Sequence, residues 1–402
     1  MSFRYIGARI SATPPTVTPP SGGEGGSASG AWSLGTVIGY EATSGWPKPL
    51  IPKELWTWGN NVNGQLGLGN TTYYSSPKQV GALTTWLAIA AGYYHTISVK
   101  TDGTLWTWGR NTFGQLGLGN TTNYSSPKQV GALTTWLTIA CGRYHTISVK
   151  TDGTLWAWGQ NTYGQLGIGN TTNYSSPKQV GALTTWSTVA AGRSFTVSVK
   201  TDGTLWTWGQ NNFGQLGLGN VTYYSSPKQV GALTTWLTIA GGGYFTISVK
   251  TDGTLWTWGR NNSGQLGLGN TTNRSSPNQV GALTTWLKIA AGRYQTISVK
   301  TDGTLWTWGR NNLGQLGLGN TTNYSSPKQV GALTTWLKIA GSYAHTVSVK
   351  TDGTLWTWGQ NNFGQLGLGN VTYYSSPKQV GALTTWLTIA GGGYFTIARK
   401  SS

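Results

Sequence analysis

Seven times, at Leu55, Leu105, Leu155, Leu205, Leu255, Leu305 and Leu355, the chain restarts with LWTWG or LWAWG, a period of 50 residues. A strict repeat of that length confines the fold to copies of one supersecondary unit, stacked in a line or closed in a ring. Within a copy, HTISVK alternates apolar Ile97 and Val99 with Thr96, Ser98 and Lys100, and LWTWG sets Trp56 and Trp58 on one side of a strand. TDG joins two such strands six times, and Asp-Gly tolerates the positive φ angles of a type I′ hairpin turn. WLAIAAG supplies a third strand and PKQV a short fourth, and four strands in one such unit describe a propeller blade. The chain enters the repeat at LWTWG, the third strand of a blade, and leaves after FTIARK, the second. The expected fold is therefore all-β, a seven-bladed β-propeller of four-stranded antiparallel blades. The ring closes by pairing PKELWTWG with the final hairpin, which also removes exposed sheet edges.

LWTWGQNNFGQLGLGN and WLTIACGRYHTISVKTDG resemble the repeat of the regulator of chromosome condensation family. The WG pair, GQLG, a Gly ahead of two variable residues, a His-Thr pair and a closing DG come in that order. The resemblance covers residues 55–402. It implies a seven-bladed propeller whose loops are a platform for protein, chromatin or other macromolecular partners, and activities vary within such a fold. Residues 1–54 read as a separate, flexible N-terminal region. In it FRYIGARI is a short strand or hook, TPPTVTPPSGGEGGSASG a linker too poor in apolar residues to fold, and AWSLGTVIGYEATSGWPKP a small docking element. Residues 30–50 also resemble segments of marine phage structural proteins of the tail or fibre kind. The start lacks the apolar run of a secretion signal and no stretch reaches the length of a membrane span, so no membrane insertion is expected. A virion or the cytoplasm is the expected location.

Several chemistries are argued against by what the repeats do with their reactive residues. The 9 acidic residues are Asp102, Asp152, Asp202, Asp252, Asp302 and Asp352 in the TDG turns, with Glu24, Glu41 and Glu54 outside them. That leaves no carboxylate pair for glycoside hydrolysis or general acid–base work and no cage for a hard metal. The same absence of acid from the variable loops argues against the guanine-nucleotide exchange the family resemblance would otherwise imply. GNNVNGQL has phosphate-loop spacing, but Gln65 and Leu66 stand where a Lys and a Ser or Thr are needed. His95, His145 and His345 share an offset at which other copies carry Phe or Gln, a pattern of structural or surface histidines rather than zinc ligands. Cys141 replaces Ala or Gly as a small filler. Tryptophans at the offsets of Trp56, Trp58 and Trp86, with Trp32 and Trp46, make up all 23 and are assigned to packing between blades. The expectation is no enzyme, no cofactor and no metal.

Variation among the copies is concentrated. If WLAIAAG runs toward a top face, the next three residues cap it, HTISVK returns, TDG turns at the bottom and LWTWG climbs again. Both diversified stretches then lie on top: the triplets at 93–95 and its counterparts, and the loop that carries Asn60, Arg110, Gln160, Gln210, Arg260, Arg310 and Gln360. TDG and GALTTW at the bottom are uniform. Residues 201–247 and 351–397 are identical, so copies are being homogenised while one face keeps its differences. The residues there, mainly Tyr, Arg, Phe, His, Ser and Gly, are those of binding surfaces. The expected partner-binding set is Tyr93, Tyr94, Arg143, Tyr144, Arg193, Phe195, Tyr244, Phe245, Arg293, Tyr294, Tyr343 and Tyr394. The leading reading is a noncatalytic recognition or adhesion propeller, a virion tail or fibre protein that binds a cell-surface glycan or protein. The alternative is an intracellular regulator of protein or nucleic acid. With 27 basic residues against 9 acidic, a net charge of +18 makes a polyanion a further candidate partner.

Overall fold

A computed structural model describes residues 53–401. The hook, linker and phage-like segment assigned to the N-terminal region fall outside the described residues, as does Cys-free residue range 1–52 as a whole. Among the described residues every element is a strand. The first two are β1 (Lys53–Gly59) and β2 (Tyr74–Gln79), followed by β3 (Trp86–Ala91), β4 (His95–Lys100), β5 (Leu105–Gly109) and β6 (Tyr124–Gln129). β7–β10, β11–β14, β15–β18, β19–β22 and β23–β26 repeat the β3–β6 pattern through residues 136–179, 186–229, 236–279, 286–329 and 336–379, and β27 (Trp386–Gly391) and β28 (Phe395–Ser401) end the chain. Six sheets are consecutive antiparallel quartets, from β3-β4-β5-β6 to β23-β24-β25-β26, numbered here as blades 1 to 6.

The seventh blade is composite, in the order β2-β1-β28-β27. β1 and β28 pair without a break from Lys53↔Ser401 to Gly59↔Phe395, and the Lys400 ammonium meets the Glu54 carboxylate at 2.8 Å. Arg399 reaches the Trp86 carbonyl at 2.7 Å, tying the closing blade to blade 1. The ring closes as the sequence requires, with the closing strand starting at Lys53.

The core lies between blades. Ile147, Val149, Leu155, Leu166 and Val180 of blade 2 pack on Trp186 and Trp208 of blade 3, and the other interfaces repeat this arrangement. Trp86 meets Trp108 edge to face at 5.9 Å and Trp106 at 6.4 Å. The Trp58 class is fully buried, but the Trp56 class sits at the bottom edge under a lysine, with Lys100 Nζ 3.7 Å from the Trp106 ring centroid. HTISVK alternates apolar with polar residues, a pattern usual for a strand with one wet face. Instead both faces of β4 are buried, because each blade is sandwiched between two others. The hydroxyls are satisfied by backbone: Thr96 donates to the Gln65 carbonyl at 2.8 Å and Ser98 to that of Ala88 at 2.7 Å.

The TDG turn also differs from expectation. Gly103 N–H donates to the Lys100 carbonyl and Lys100 N–H to that of Thr104, which closes a three-residue loop with Gly103 at φ +77°. A three-residue hairpin puts its left-handed residue last, where a two-residue type I′ turn would need two. Asp102 caps the loop, accepting from the Thr104 N–H at 2.9 Å and hydroxyl at 2.6 Å, and these bonds hold its carboxyl below the usual carboxylate range. The GQLG loops clasp the next blade. A Cβ on Gly64 would stand 2.4 Å from Ser125 Cα, which explains why only glycine fits there.

Candidate recognition rim

In each blade a tight turn leads from the innermost strand into the second, closed in blade 1 by the Gly92 N–H donating to the His95 carbonyl at 2.8 Å. The tip residues are Tyr93 and Tyr94. The loop after β5 comes to the same face, because Arg110 N–H donates to the Tyr94 carbonyl at 2.9 Å, and Gln160 to Tyr144 and Arg260 to Tyr244 repeat that link. The two diversified stretches of each copy are therefore physically joined on one face.

The variable triplet splits into three layers. Its first residue faces the ring axis, where residues 91–93 and their counterparts from all seven blades line a cavity of about 230 Å³. The second residue is a half-buried tyrosine in five blades, a collar interrupted by the enclosed Ser194 and Ala344. The third is buried beneath both, and here the expected set needs correction: Phe195 and Phe245 are fully enclosed, the first residues of β12 and β16, and present no surface. They fill the slot that holds a histidine in blades 1, 2 and 6. A Cβ on Gly92 would stand 2.2 Å from the His95 ring, so in six blades the preceding glycine makes room for the planar group in the slot, while in blade 6 Ser342 stands there and its hydroxyl meets His345 Nδ1.

The three histidines are structural and fully buried rather than at the surface. His95 Nε2 lies 3.1 Å from the Thr146 hydroxyl, which itself donates to the Gln115 carbonyl at 2.8 Å. Nε2 must then carry the proton, and burial holds the His95, His145 and His345 rings down to a pKa of about 3. Cys141 packs against an interblade core cluster that includes Ile97, Val99 and Leu105, and burial pushes its thiol up, away from nucleophilic use.

Ten of the twelve expected rim residues, all but the two phenylalanines, are partly exposed on the turn tips. The structure gathers them into two arcs. Tyr93, Tyr343 and Tyr394 cluster with ring centroids 4.9 to 5.6 Å apart, and Tyr94 packs on Tyr93 at 4.4 Å. Burial first, then mutual hydrogen bonding, raises the Tyr93 phenol, so it stays protonated. Across the axis stand Arg143, Arg193 and Arg293. Their guanidinium carbons lie 4.8 Å from Tyr144, 5.1 Å from Tyr244 and 4.8 Å from Tyr294, and Arg143 and Arg293 also reach Tyr93 at 5.1 Å and Tyr343 at 4.4 Å.

The site list drawn from sequence omitted partners on the second loop. Arg110 stacks on Tyr94 and Tyr144 at 5.4 and 5.2 Å, Arg260 on Phe213 at 4.9 Å, and Phe113 and Phe363 pack on Tyr144 and Tyr394 at 5.1 and 5.4 Å. The signal was available, since strand parity puts both loops on top. No acid answers these cations locally: the described aspartates lie in the bottom turns and Glu54 opens β1 at that same end.

Profiles of the regulator of chromosome condensation (RCC1) repeat match residues 54–99, 102–149, 152–199, 202–249, 252–299, 302–349 and 352–399. Among curated proteins no sequence match is found. Among solved structures the chain is similar to Prp20p from Saccharomyces cerevisiae, described with its binding to Gsp1p and histones, with a TM-score of 0.79 and 20% identity over 88% of this chain and 92% of that one. It is equally similar in fold to human WBSCR16, with a TM-score of 0.79 and 22% identity over 87% of this chain and 99% of that one. A yeast RCC1 (Prp20) structure bound to Kap60 also matches, at 20% identity over 87% and 89% of the two chains with a TM-score of 0.79.

Proposed function

Because the chain belongs to the regulator of chromosome condensation repeat family, we propose that it is a noncatalytic recognition module, an intracellular regulator that takes a protein partner on its rim. One observation carries this reading. Where copies otherwise match almost letter for letter, they depart from one another at turn tips that build half-buried Tyr and Arg clusters on a single face. Aromatic and Arg side chains held in place by one another are the residue types that dominate interface energetics. The described carboxylates are at the opposite face, which supports a binding rather than a catalytic role.

The partners named for the yeast relative, Gsp1p and histones, are proteins, and a protein partner here is in keeping with them. The tail-fibre reading rests on residues 30–50, outside the described residues, and neither it nor a cell-surface glycan as partner draws support from these relatives.

The test is affinity capture with the full chain, the rim variant R143A/R193A/R293A and the bottom-turn variant D152A as parallel baits. Proteins held by the parent and by D152A but lost by the rim variant, by about tenfold or more, are the expected result. Identical capture by all three baits removes the rim from consideration.

A further inference from the structure

We infer that the axial cavity inside the rim is a binding site for a phosphoryl group, held by Arg143, Arg193 and Arg293. The inference deepens the recognition reading and rests on it, since it names the chemistry that the partner presents at the axis.

The first ground is charge. Three arginines line a cavity of about 230 Å³, and among the described residues none of the three makes an ion pair or donates a side-chain hydrogen bond. Their only close partners are tyrosine faces. The Nε atoms of Arg143 and Arg293 are buried and have no acceptor within the protein. A buried cationic N–H without an acceptor is costly, and a ring of aromatic carbon cannot supply the missing lone pair. With every described carboxylate at the other end of the ring, the field at this mouth is positive throughout, and low-dielectric walls focus it.

The second ground is shape. The turn carrying each arginine is fixed to its neighbour: Arg143 N–H donates to the Arg193 carbonyl at 3.1 Å, Arg193 to Gly242 at 3.3 Å, Gly243 to Arg293 at 3.2 Å and Arg293 to Ser342 at 2.9 Å. A backbone arc joins the three turns and tyrosine faces hold the three guanidiniums, so little ordering is left to be done on binding. Gly243 and Gly393 stand at two of the seven axial positions, and a Cβ there would come within 2.5 Å and 2.4 Å of the Arg293 and Tyr93 carbonyls. The lining is kept small where the backbones crowd. The space falls below the range of about 300–1,000 Å³ usual for drug-sized ligands, which suits a compact headgroup rather than a nucleobase.

The third ground is the choice of cation. The lysines of the blades, such as Lys78, Lys100, Lys128 and Lys150, lie on the outer strands or toward the bottom, and Lys288 and Lys338 stand lower on two innermost strands, whereas the cations that line the cavity are all arginine. A planar fork of donors matches a tetrahedral oxyanion bidentately, and a point charge does not. Three forks suit a dianion carrying several oxygens better than a single carboxylate.

Calorimetric titration of the full chain with inorganic phosphate, at ionic strength matched with chloride, tests the site. Saturable binding is expected, weakened by about tenfold or more in R143A/R193A/R293A. Arginine Nε–Hε resonances of the unmodified protein give a second readout that does not require the variant to fold, and those of Arg143 and Arg293 should shift with phosphate. A phosphoserine peptide compared with free phosphate separates sources: tighter binding of the peptide assigns the group to a partner, equal binding to a free ion. No saturation in the parent, equal affinity in parent and variant, or unmoved Nε–Hε signals would each overturn the site. If phosphate fails to bind while the rim variant still loses its captured proteins, the oxyanion site falls and the recognition rim stands.

Discussion

At the bottom of the ring the β4–β5 turn and its counterparts read TDG in six blades, while at the top the β3–β4 turns read GYY, GRY, GRS, GGY, GRY, SYA and GGY. Packing alone does not account for the uniformity below. Leu83, in the GALTTW stretch, is 49% exposed, and its counterparts in the other blades are exposed to a similar extent yet never change. Repeat copying therefore preserves residues whether or not the core needs them. Against that background the top face is a departure from copying, and its departures are chemically selective: arginine stacked on tyrosine, no carboxylate, and glycine where axial backbones touch. The comparison teaches a division of labour, with turn geometry and interblade packing uniform everywhere and partner chemistry confined to one rim.

The largest expected effect comes from the place where this division is least clean, the histidine layer directly beneath the rim. Burial holds His95, His145 and His345 at a pKa of about 3, against 6.5 for the ordinary imidazole. Between those values the unfolded chain binds more protons than the folded one. The stability these neutral rings allow is complete above about pH 6.5 and is lost as pH falls toward 3, at up to about 1.4 kcal/mol per pH unit for each ring. Three rings together should cost several kcal/mol by pH 5, read as a steep fall in thermal midpoint. Phe already fills this slot at Phe195, Phe245 and Phe395. H95F/H145F/H345F should therefore flatten the curve down to about pH 4, leaving the loss that sets in as the turn aspartates, whose carboxyls are held below the ordinary 3.8, take up protons at still lower pH. An unchanged curve in the triple variant would show that the histidines do not set the acid limit.

Much of this was legible in the sequence. The period, the strand count and the complementary ends give the blade number and the closure, because each depends only on repeat arithmetic and strand parity. The turn type was not, since TDG alone does not reveal that Lys100 and Thr104 frame a three-residue loop. Parity found the face but not the layers within it. His95 and Phe195 sit beside the half-buried Tyr94 and the enclosed Ser194, and only the tertiary packing, such as the close approach of Gly92 to the His95 ring, decides that the third position points inward. The stacking of Arg260 on Phe213, 47 residues apart in the chain, is a product of ring curvature that no local pattern encodes.

A second prediction sets two bottom glycines against each other. Gly103 has φ +77°, and a Cβ there would stand 1.9 Å from the Thr134 carbonyl oxygen. Gly131 has φ +57° with nothing within 4 Å. Both alanine variants incur the left-handed penalty of about 1–2 kcal/mol, but only Gly103→Ala must also displace backbone of the next blade. Denaturant midpoints should place Gly103→Ala at about 3 kcal/mol or more and Gly131→Ala near 1 kcal/mol. Proteins captured on the rim should be unaffected in both, once folded fractions are matched. Equal costs would mean that the interblade contact at TDG contributes little.

The smallest effect should come from single arginines on the rim, and their order matters more than their size. Arg143 lies over two rings, Tyr93 and Tyr144, whereas Arg193 lies over Tyr244 alone. Partly exposed cation–π contacts are worth about 0.5–1 kcal/mol each, and both side chains leave the interblade core untouched. Arg143→Ala should therefore lower stability by about 1 kcal/mol and Arg193→Ala by about half of that, each well below Gly103→Ala. Removing Arg143 also relieves an unpartnered buried Nε, a gain that opposes the lost stacking and narrows the gap between the two variants. Equilibrium unfolding in denaturant, with each variant measured beside the parent, resolves differences of this size when several transitions are averaged. A loss from Arg193→Ala as large as that from Gly103→Ala would place the rim arginines in the framework that holds the ring together, and the top face would then owe its composition to stability as much as to a partner.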